Sequence, residues 1–301
     1  MSSTFKLYTD GSVQFVEPRL VQAIAFAHVT DLHLPGVPRD AWPRQYRSAI
    51  EWWNQEMGYP DQVVETLLDE IRAARVDFVF FGGDVLDYYN AGTAKHLLEM
   101  CQQRGLTAKF QLGNHDYESE YLRFVSHEFD PVVFSQNSRK LCSHWRMPNL
   151  DYFFEISGVQ FLSLSVEYKH LNGTWGGTVT DEQAYWLIAK IRQNKPLVIF
   201  HHIPFALPTV APRLAQFWSG KLACIRNDDN GRRLREAIEE NHNVLGTFSG
   251  HAHMRSEDPF GQTWQFMTGP GHLGQWRYVK ISGERPPKSL NIEGEPKAFV
   301  T

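Results

Sequence analysis

Apolar positions fall into short runs whose spacing changes along the chain. AIAFAHVTDLHL is an apolar run that turns polar at its end, DQVVETLLDEIRAARV has apolar residues at helical spacing, and VDFVFFGGDVLD is a second apolar run closing on glycine and aspartate. This order predicts β, α, β. Thr93 to Arg104 predicts another helix, closed by Gly105, after which TAKFQLGNHD predicts a strand leading into a polar loop. Further on, DYFFEISGVQFLSLSVEY predicts two strands joined at Ser157 and Gly158. TDEQAYWLIAKIRQNK predicts an amphipathic helix with Thr180 as N-cap and Gln183 completing a capping box. PLVIFHH, NVLGTFSGHAH, TWQFMTGP and QWRYVKIS predict more strands, so the pattern is alternating α/β with a strand-rich second half.

Two segments interrupt this pattern, and both follow polar strand ends. Leu34 to Pro60 holds Trp42, Tyr46, Trp52, Trp53 and Tyr59, and Phe205 to Asn230 holds Pro208, Pro212, Phe217 and Trp218. A single domain over residues 1–301 is expected, with these as insertions at about 34–60 and 205–230 beside the functional site. Ligands of open α/β sheets gather outside the carboxyl ends of strands, and the polar motifs lie at such ends. The aromatic residues of the insertions are expected to pack them onto the body, or to enclose a ring of a substrate.

Composition narrows the class. Hydrophobic residues at 42% and charged residues at 21% exclude a disordered or collagen-like chain. No apolar stretch approaches the ~18 residues of a membrane span. The opening MSSTFKLYTDGSVQFVEP has neither a basic n-region nor an apolar h-region, so a soluble, unprocessed chain is expected. With 30 basic against 34 acidic residues there is no basic footprint, which disfavours a nucleic-acid polymer as substrate. The three cysteines, Cys101, Cys142 and Cys224, form no CxxC pair. A disulfide framework and a thiolate metal site are disfavoured, and a cytoplasmic location is expected.

Six of the thirteen histidines fall inside four short motifs. Asp31-Leu32-His33 and His251-Ala252-His253 place two donors at i and i+2, which point to one side of an extended chain. Asp84 follows two glycines, Asn114-His115-Asp116 follows Gly113, and His201-His202 ends an apolar strand. Imidazole, carboxylate and amide oxygen without thiolate form the donor set of a Mn, Fe or Zn hydrolytic site. His28 reads as a packed core residue, His96, His127, His144, His170 and His242 as surface residues, and His272, in TGPGHLG, as a possible cleft residue.

In order, these motifs read D-x-H, G-D, G-N-H-D, H-x-P and G-H-x-H, which resembles the calcineurin-like metallophosphoesterase family from roughly Ile24 to Met254. The resemblance implies an α/β fold of the metallo-dependent phosphatase type, a four-layer α/β/β/α sandwich with two mixed sheets. It implies two divalent metal ions, one held by Asp31, His33, Asp84 and His253, the other by Asp84, Asn114, His202 and His251, with Asp84 bridging. The H-x-P match through Pro204 selects His202, and His201 is the alternative. His115 corresponds to the family histidine that contacts phosphate and serves the leaving group, and Asp116 would orient it. Protein serine/threonine phosphatases of the family carry GDxVDRG and GNHE, whereas this chain has GDVLDYY and GNHD. Purple acid phosphatases place a tyrosine ligand where Asp87 stands here, so no iron–tyrosinate centre is expected.

The activity implied is hydrolysis of a small phosphodiester, with a cyclic nucleotide as its most concrete form, by a metal-bridging hydroxide. A phosphomonoesterase on a small metabolite is the alternative. A non-catalytic binding or scaffold protein of the same fold is the competing class, against which stands the presence of every ligand position.

Overall fold

Strands that are apolar on both faces need cover on both, and here a second sheet covers one side and helices the other. The computed structural model describes residues 4–35, 47–58, 60–118, 131–171, 174–217 and 224–283. The first sheet runs β1 (Thr4–Leu7), β2 (Val13–Val16), β14 (Arg277–Ser282), β3 (Ile24–Val29), β4 (Phe78–Gly82), β5 (Ala108–Gln111). β3, β4 and β5 are mutually parallel, whereas β14 is antiparallel to β3 and β1 to β2. The second sheet runs β12 (Ser256–Phe260), β13 (Thr263–Met267), β11 (Val244–Ser249), β10 (Leu197–His201), β7 (Val159–Leu164), β6 (Tyr152–Ile156). Its inner strands are parallel and each edge strand is antiparallel. A separate antiparallel hairpin joins β8 (Glu167–Leu171) to β9 (Thr174–Thr178).

Side-chain alternation sorts these strands into layers. Phe78 and Phe80 of β4 meet Phe161, Val198, Phe200 and Phe248 between the sheets. Val79 and Phe81 face outward onto Val64, Leu68, Leu97 and Leu141 of α2 (Pro60–Ala73), α3 (Ala91–Gln103) and α4 (Pro131–His144). On the other side, Leu197 and Ile199 of β10 pack with Leu187 and Ile191 of α5 (Asp181–Ile191) and Leu234 and Ile238 of α7 (Asp229–Glu239). The result is the expected four-layer α/β/β/α sandwich with two mixed sheets. Phe80 and Phe200 stack at 3.6 Å between ring centroids and join the sheets directly beneath their carboxyl ends. Truncating a buried Phe costs about 3–5 kcal/mol, so this interface is a stiff base for whatever sits above it.

Local signals read from the sequence recur. Thr180 Oγ1 accepts from the Gln183 N–H while Gln183 Oε1 accepts from the Thr180 N–H, which completes the capping box of α5. β6 and β7 turn at Ser157 and Gly158, both at positive φ. α3 starts at Ala91, ahead of Thr93, because Asn90 Oδ1 accepts from the Gly92 and Thr93 N–H groups and caps the helix earlier. The β1–β2 hairpin, β8 and β9, α4 and α7 were not anticipated.

The segment at 34–60 expected as an insertion contains α1 (Arg47–Glu56), and that at 205–230 contains α6 (Ala211–Phe217). Trp42, Tyr46, Tyr59 and Trp218 lie outside the described residues, as do the side chains of Trp53 and Phe217. Phe205 packs into the body against Phe260, as expected, whereas Trp52 is 58% exposed. Among the described residues, no helix is long and apolar enough to cross a membrane.

Candidate metal centre

The carboxyl ends of β3, β4, β10 and β11 bring the polar motifs together. Asp31, His33, Asp84, His251 and His253 all have positive φ, between 48° and 67°. The extended-chain reading of Asp31/His33 and of His251/His253 is therefore corrected: the donors converge because the backbone enters the left-handed region. Each such residue costs roughly 1–2 kcal/mol, a strain that persists where surrounding bonds over-determine it. Those bonds are present. The Asp31 N–H donates to the Gly83 carbonyl at 3.0 Å and the His33 N–H to the Asp84 carbonyl at 2.9 Å, stapling β3 to β4. The Gly250 N–H donates to the His202 carbonyl at 2.9 Å, and the His251 N–H reaches the Asp31 carboxylate at 3.0 Å. Gly250 and Gly113 permit the close approach, since a Cβ there would overlap the Asp31 and Asp84 carboxylates respectively.

Two groups of donors result, with Asp84 between them. On one side His33 Nε2 lies 3.0 Å from His253 Nε2, and His253 Nε2 lies 3.4 Å from Asp31 Oδ1. On the other, His202 Nε2 lies 3.1 Å from Asp84 Oδ2, with the His251 ring 5.3 Å from that of His202. The same Asp84 oxygen is 3.9 Å from His33 Nε2 and 3.9 Å from His115 Nε2. Donor atoms of Asp31, His33 and His253 lie within 4.8 Å of one another, as do those of Asp84, His202 and His251, and those of His33, Asp87 and His115.

These residues fit metal ions on two observations. Asn114 Oδ1 is buried with no hydrogen-bond partner among the described residues, a costly arrangement unless a cation completes it, and His202 Nε2 faces the buried Asp84 carboxylate at 3.1 Å. The outer nitrogens are held: His202 Nδ1 bonds the Gly82 carbonyl at 2.8 Å and His33 Nδ1 lies 3.1 Å from Asp87 Oδ1. That pattern leaves Nε2 of each ring as the inward lone pair, as in carboxylate–histidine–metal arrangements.

Charge is balanced within the cluster. Burial pushes Asp84 up, but the charges of His202 and His115 outweigh it and hold the carboxyl well below its usual range. Asp31 behaves alike, with burial opposed by the His253 bond and charge. Burial pulls His202 down, yet the Asp84 charge lifts it to about 9, whereas burial and the His202 charge bring His251 to about 3. The proton on His202 thus occupies a place where a cation would compensate Asp84 instead.

The remaining sequence candidates separate clearly. His201 is buried on the other side of β10, with Nδ1 2.9 Å from the Ile203 carbonyl and its ring 5.1 Å from Phe205. Asp116 is corrected. Its carboxylate accepts from the Leu86 N–H at 2.8 Å and the Gly113 N–H at 2.7 Å, and among the described residues neither oxygen bonds the His115 ring. Asp116 joins the β4 and β5 loops, and burial with the nearby Asp84 charge raises it to about 8. His115 is instead neighboured by Asp87, whose carbonyl lies 3.3 Å and whose carboxylate 3.8 Å from His115 Nδ1. His28 is a core residue, with Nδ1 2.7 Å from Thr268 Oγ1 and its ring 6.3 Å from that of Phe80 and 5.7 Å from that of Phe200.

Two further residues adjoin the site, Asp87, to which the sequence assigns no metal or proton role, and Tyr168. Asp87 had a signal, its place three residues after Asp84 in GDVLD. Tyr168 had almost none, being the last letter of an apolar run. Its ring lies 4.7 Å from that of His251 and stacks on Trp175 of the same β8–β9 hairpin at 5.5 Å.

A two-sheet sandwich with aspartate and histidine gathered at its strand ends defines a metallophosphoesterase fold. The family model for calcineurin-like phosphoesterases matches residues 24–255, and the chain belongs to that family. It is a family of metal-dependent phosphoester hydrolases, and the Asp/His groups fit a binuclear metal site. Among solved structures the chain is similar to a dimetal phosphatase of Danio rerio, at 13% identity and a TM-score of 0.50, covering 82% of this chain and 87% of that one. It is also similar to the purple acid phosphatase PPD1 of yellow lupin, at 13% identity and a TM-score of 0.48, covering 89% of this chain and 49% of that one. A phosphopantetheinyl hydrolase of Mycobacterium tuberculosis has 14% identity and a TM-score of 0.47, covering 82% and 89%. No curated protein sequence matches the chain.

Proposed function

We propose that this protein hydrolyses a small phosphodiester at a two-ion site. The observation that carries the reading is the position of Asp84 Oδ2, 3.1 Å from His202 Nε2 on one side and 3.9 Å from His33 Nε2 on the other. Asp31, His33, Asp84 and His253 would hold one ion, and Asp84, Asn114, His202 and His251 the other, with Asp84 common to both sets. Two divalent ions, Mn, Fe or Zn by the donor set, would supply charge for the phosphoryl oxygens and acidify a water. The chain itself supplies the leaving-group proton. His115, 18% exposed in its side chain, keeps Nδ1 on the Asp87 carbonyl and so turns Nε2 toward Asp84. Protonating an alkoxide from that position contributes about 10²- to 10⁴-fold. Asp116 acts one step removed, by fixing the loop on which His115 stands.

The half-buried Tyr168–Trp175 stack beside His251 supports a substrate with a planar ring, hence a cyclic nucleotide as the finer reading. Because strand ends of both sheets contribute ligands, we take the whole chain as one domain.

Metal analysis with turnover of bis-p-nitrophenyl phosphate and p-nitrophenyl phosphate tests the reading. A Mn²⁺-loaded protein that cleaves the diester faster supports it. Faster cleavage of the monoester would make the protein a phosphomonoesterase, and a metal-free, inactive protein under Mn²⁺ would overturn the enzyme reading.

A further inference from the structure

His272 lies outside the donor groups of the metal centre, yet its ring is 5.1 Å from His253 and 5.9 Å from His33. It sits in a 3-10 turn, Gly271–Leu273, that follows β13. That turn is tied to the end of β3, since the Gly271 N–H donates to the Thr30 carbonyl at 2.7 Å and the His272 N–H to the Asp31 carbonyl at 3.1 Å. The residue is 5% exposed, and its Nδ1 lies 2.9 Å from the Met57 carbonyl. A carbonyl only accepts, so Nδ1 carries the hydrogen and Nε2 is left as an acceptor. Nε2 is buried and has no hydrogen-bond partner among the described residues. Leaving an acceptor in that state costs about 1–3 kcal/mol.

We propose that His272 is a positioning residue of the metal centre, its Nε2 accepting a hydrogen bond from an O–H group brought to the Asp31–His33–His253 side. The donor is a water on the ion or an alcohol of the substrate. His272 is not itself a ligand, because its nitrogen is outside the 4.8 Å reach that unites the donors of that group. The inference rests on the two-ion reading of the site.

Two substitutions divide the ring's functions. His272→Asn keeps a donor where Nδ1 stands and removes the Nε2 acceptor, while His272→Gln keeps an acceptor near Nε2 and loses the bond to Met57. Mn²⁺ titration of the metal-free proteins, without substrate, is one readout. If water is the donor, the Asn variant binds its weaker Mn²⁺ about 10- to 100-fold less tightly and the Gln variant stays near wild type. If a substrate alcohol is the donor, Mn²⁺ binding is unchanged. In that case KM for a ribose 3',5'-cyclic nucleotide rises roughly 5- to 10-fold in the Asn variant, with no change for the 2'-deoxy counterpart. Melting of the metal-free proteins is the folding control. An Asn variant equal to wild type in every binding readout, with Gln the damaged variant, would make His272 a packing residue and overturn the proposal. A wild-type protein that binds no Mn²⁺ would instead overturn the site itself.

Discussion

The Asp87 carboxylate lies 3.1 Å from Nδ1 of His33. That contact fixes which ring nitrogen of His33 faces His253 and Asp84, and it joins a residue of the β4 loop to one of the β3 loop. Outer partners of metal-bound imidazoles typically account for 10- to 100-fold in affinity. Asp87→Ala should therefore lose about that much Mn²⁺ affinity while keeping the fold, as measured by calorimetric titration and far-UV circular dichroism. Affinity equal to wild type would show that His33 holds its orientation without Asp87.

Asp84→Ala removes the carboxylate set between the two donor groups. Both ions should weaken together, and metal content and turnover should fall in parallel. Elemental analysis of the purified variant checks this. Retention of two tightly bound ions with near-normal turnover would refute the bridging role.

Much of this site was legible in the sequence because its donors occur in pairs and triplets attached to apolar strands: Asp31 with His33, His251 with His253, Asn114 with His115. Strand ends that share a sheet edge bring such short motifs together, so the sites follow from topology once the strands are known. The layers were legible for a related reason, since runs such as FVFF are apolar on both faces and need two covers. What failed depended on geometry that sequence spacing does not encode. An i, i+2 pair points to one side only on extended backbone, and the left-handed φ of Asp31 and His33 lies outside any pattern of residue types. Asp116 stands next to His115 in the chain, but its carboxylate turns to backbone N–H groups of two loops. Tyr168 reaches His251 from the β8–β9 hairpin, a pairing that the sequence pattern does not announce.

For the histidine pair, His201 ends β10 and His202 follows it, and the two rings meet different surroundings, Ile203 and Phe205 for the first and Asp84 for the second. His202→Ala should cost one equivalent of metal, because its Nε2 faces Asp84 at 3.1 Å. His201→Ala should keep both ions and lose roughly 1–3 kcal/mol of stability, through the vacated space beside Phe205 and the lost bond to the Ile203 carbonyl. Metal stoichiometry and urea denaturation of the two variants check this, and the reverse pattern would move the ligand to His201.

His28 makes a prediction about acid stability. Burial, reinforced by the Arg277 charge, lowers its imidazole to about 3, so it is neutral when folded at any moderate pH. In the unfolded chain the group returns to about 6.5 and takes up a proton below that value. The unfolded state then binds more protons, and stability falls as pH drops from about 6.5 toward the folded value. From about pH 7 to about pH 5 this one group should account for about 2 kcal/mol of lost stability in the metal-free protein. His28→Asn, which keeps a polar partner for Thr268, should flatten that part of the profile by the same amount. Urea midpoints measured in chelator at both pH values check the difference, and parallel profiles for the two proteins would show that His28 does not set the acid limb.

His115 Nε2 lies 3.9 Å from Asp84 Oδ2 while its Nδ1 is held by the Asp87 carbonyl. Under the proposed donor sets, which do not include the His115 ring, His115→Ala should keep its metals. If the ring gives a proton to the departing oxygen, the loss depends on what departs. A ribose or alkyl alkoxide has a high pKa and needs that proton, so its release should slow by about 10²- to 10⁴-fold. p-Nitrophenolate leaves unaided, and its release should change little. Comparing kcat for bis-p-nitrophenyl phosphate with kcat for a cyclic nucleotide separates the two, and the effect belongs in kcat because the interaction forms only as the bond breaks. An equal loss on both leaving groups, carried mainly by KM, would make His115 a phosphate-positioning residue and leave the proton to another donor.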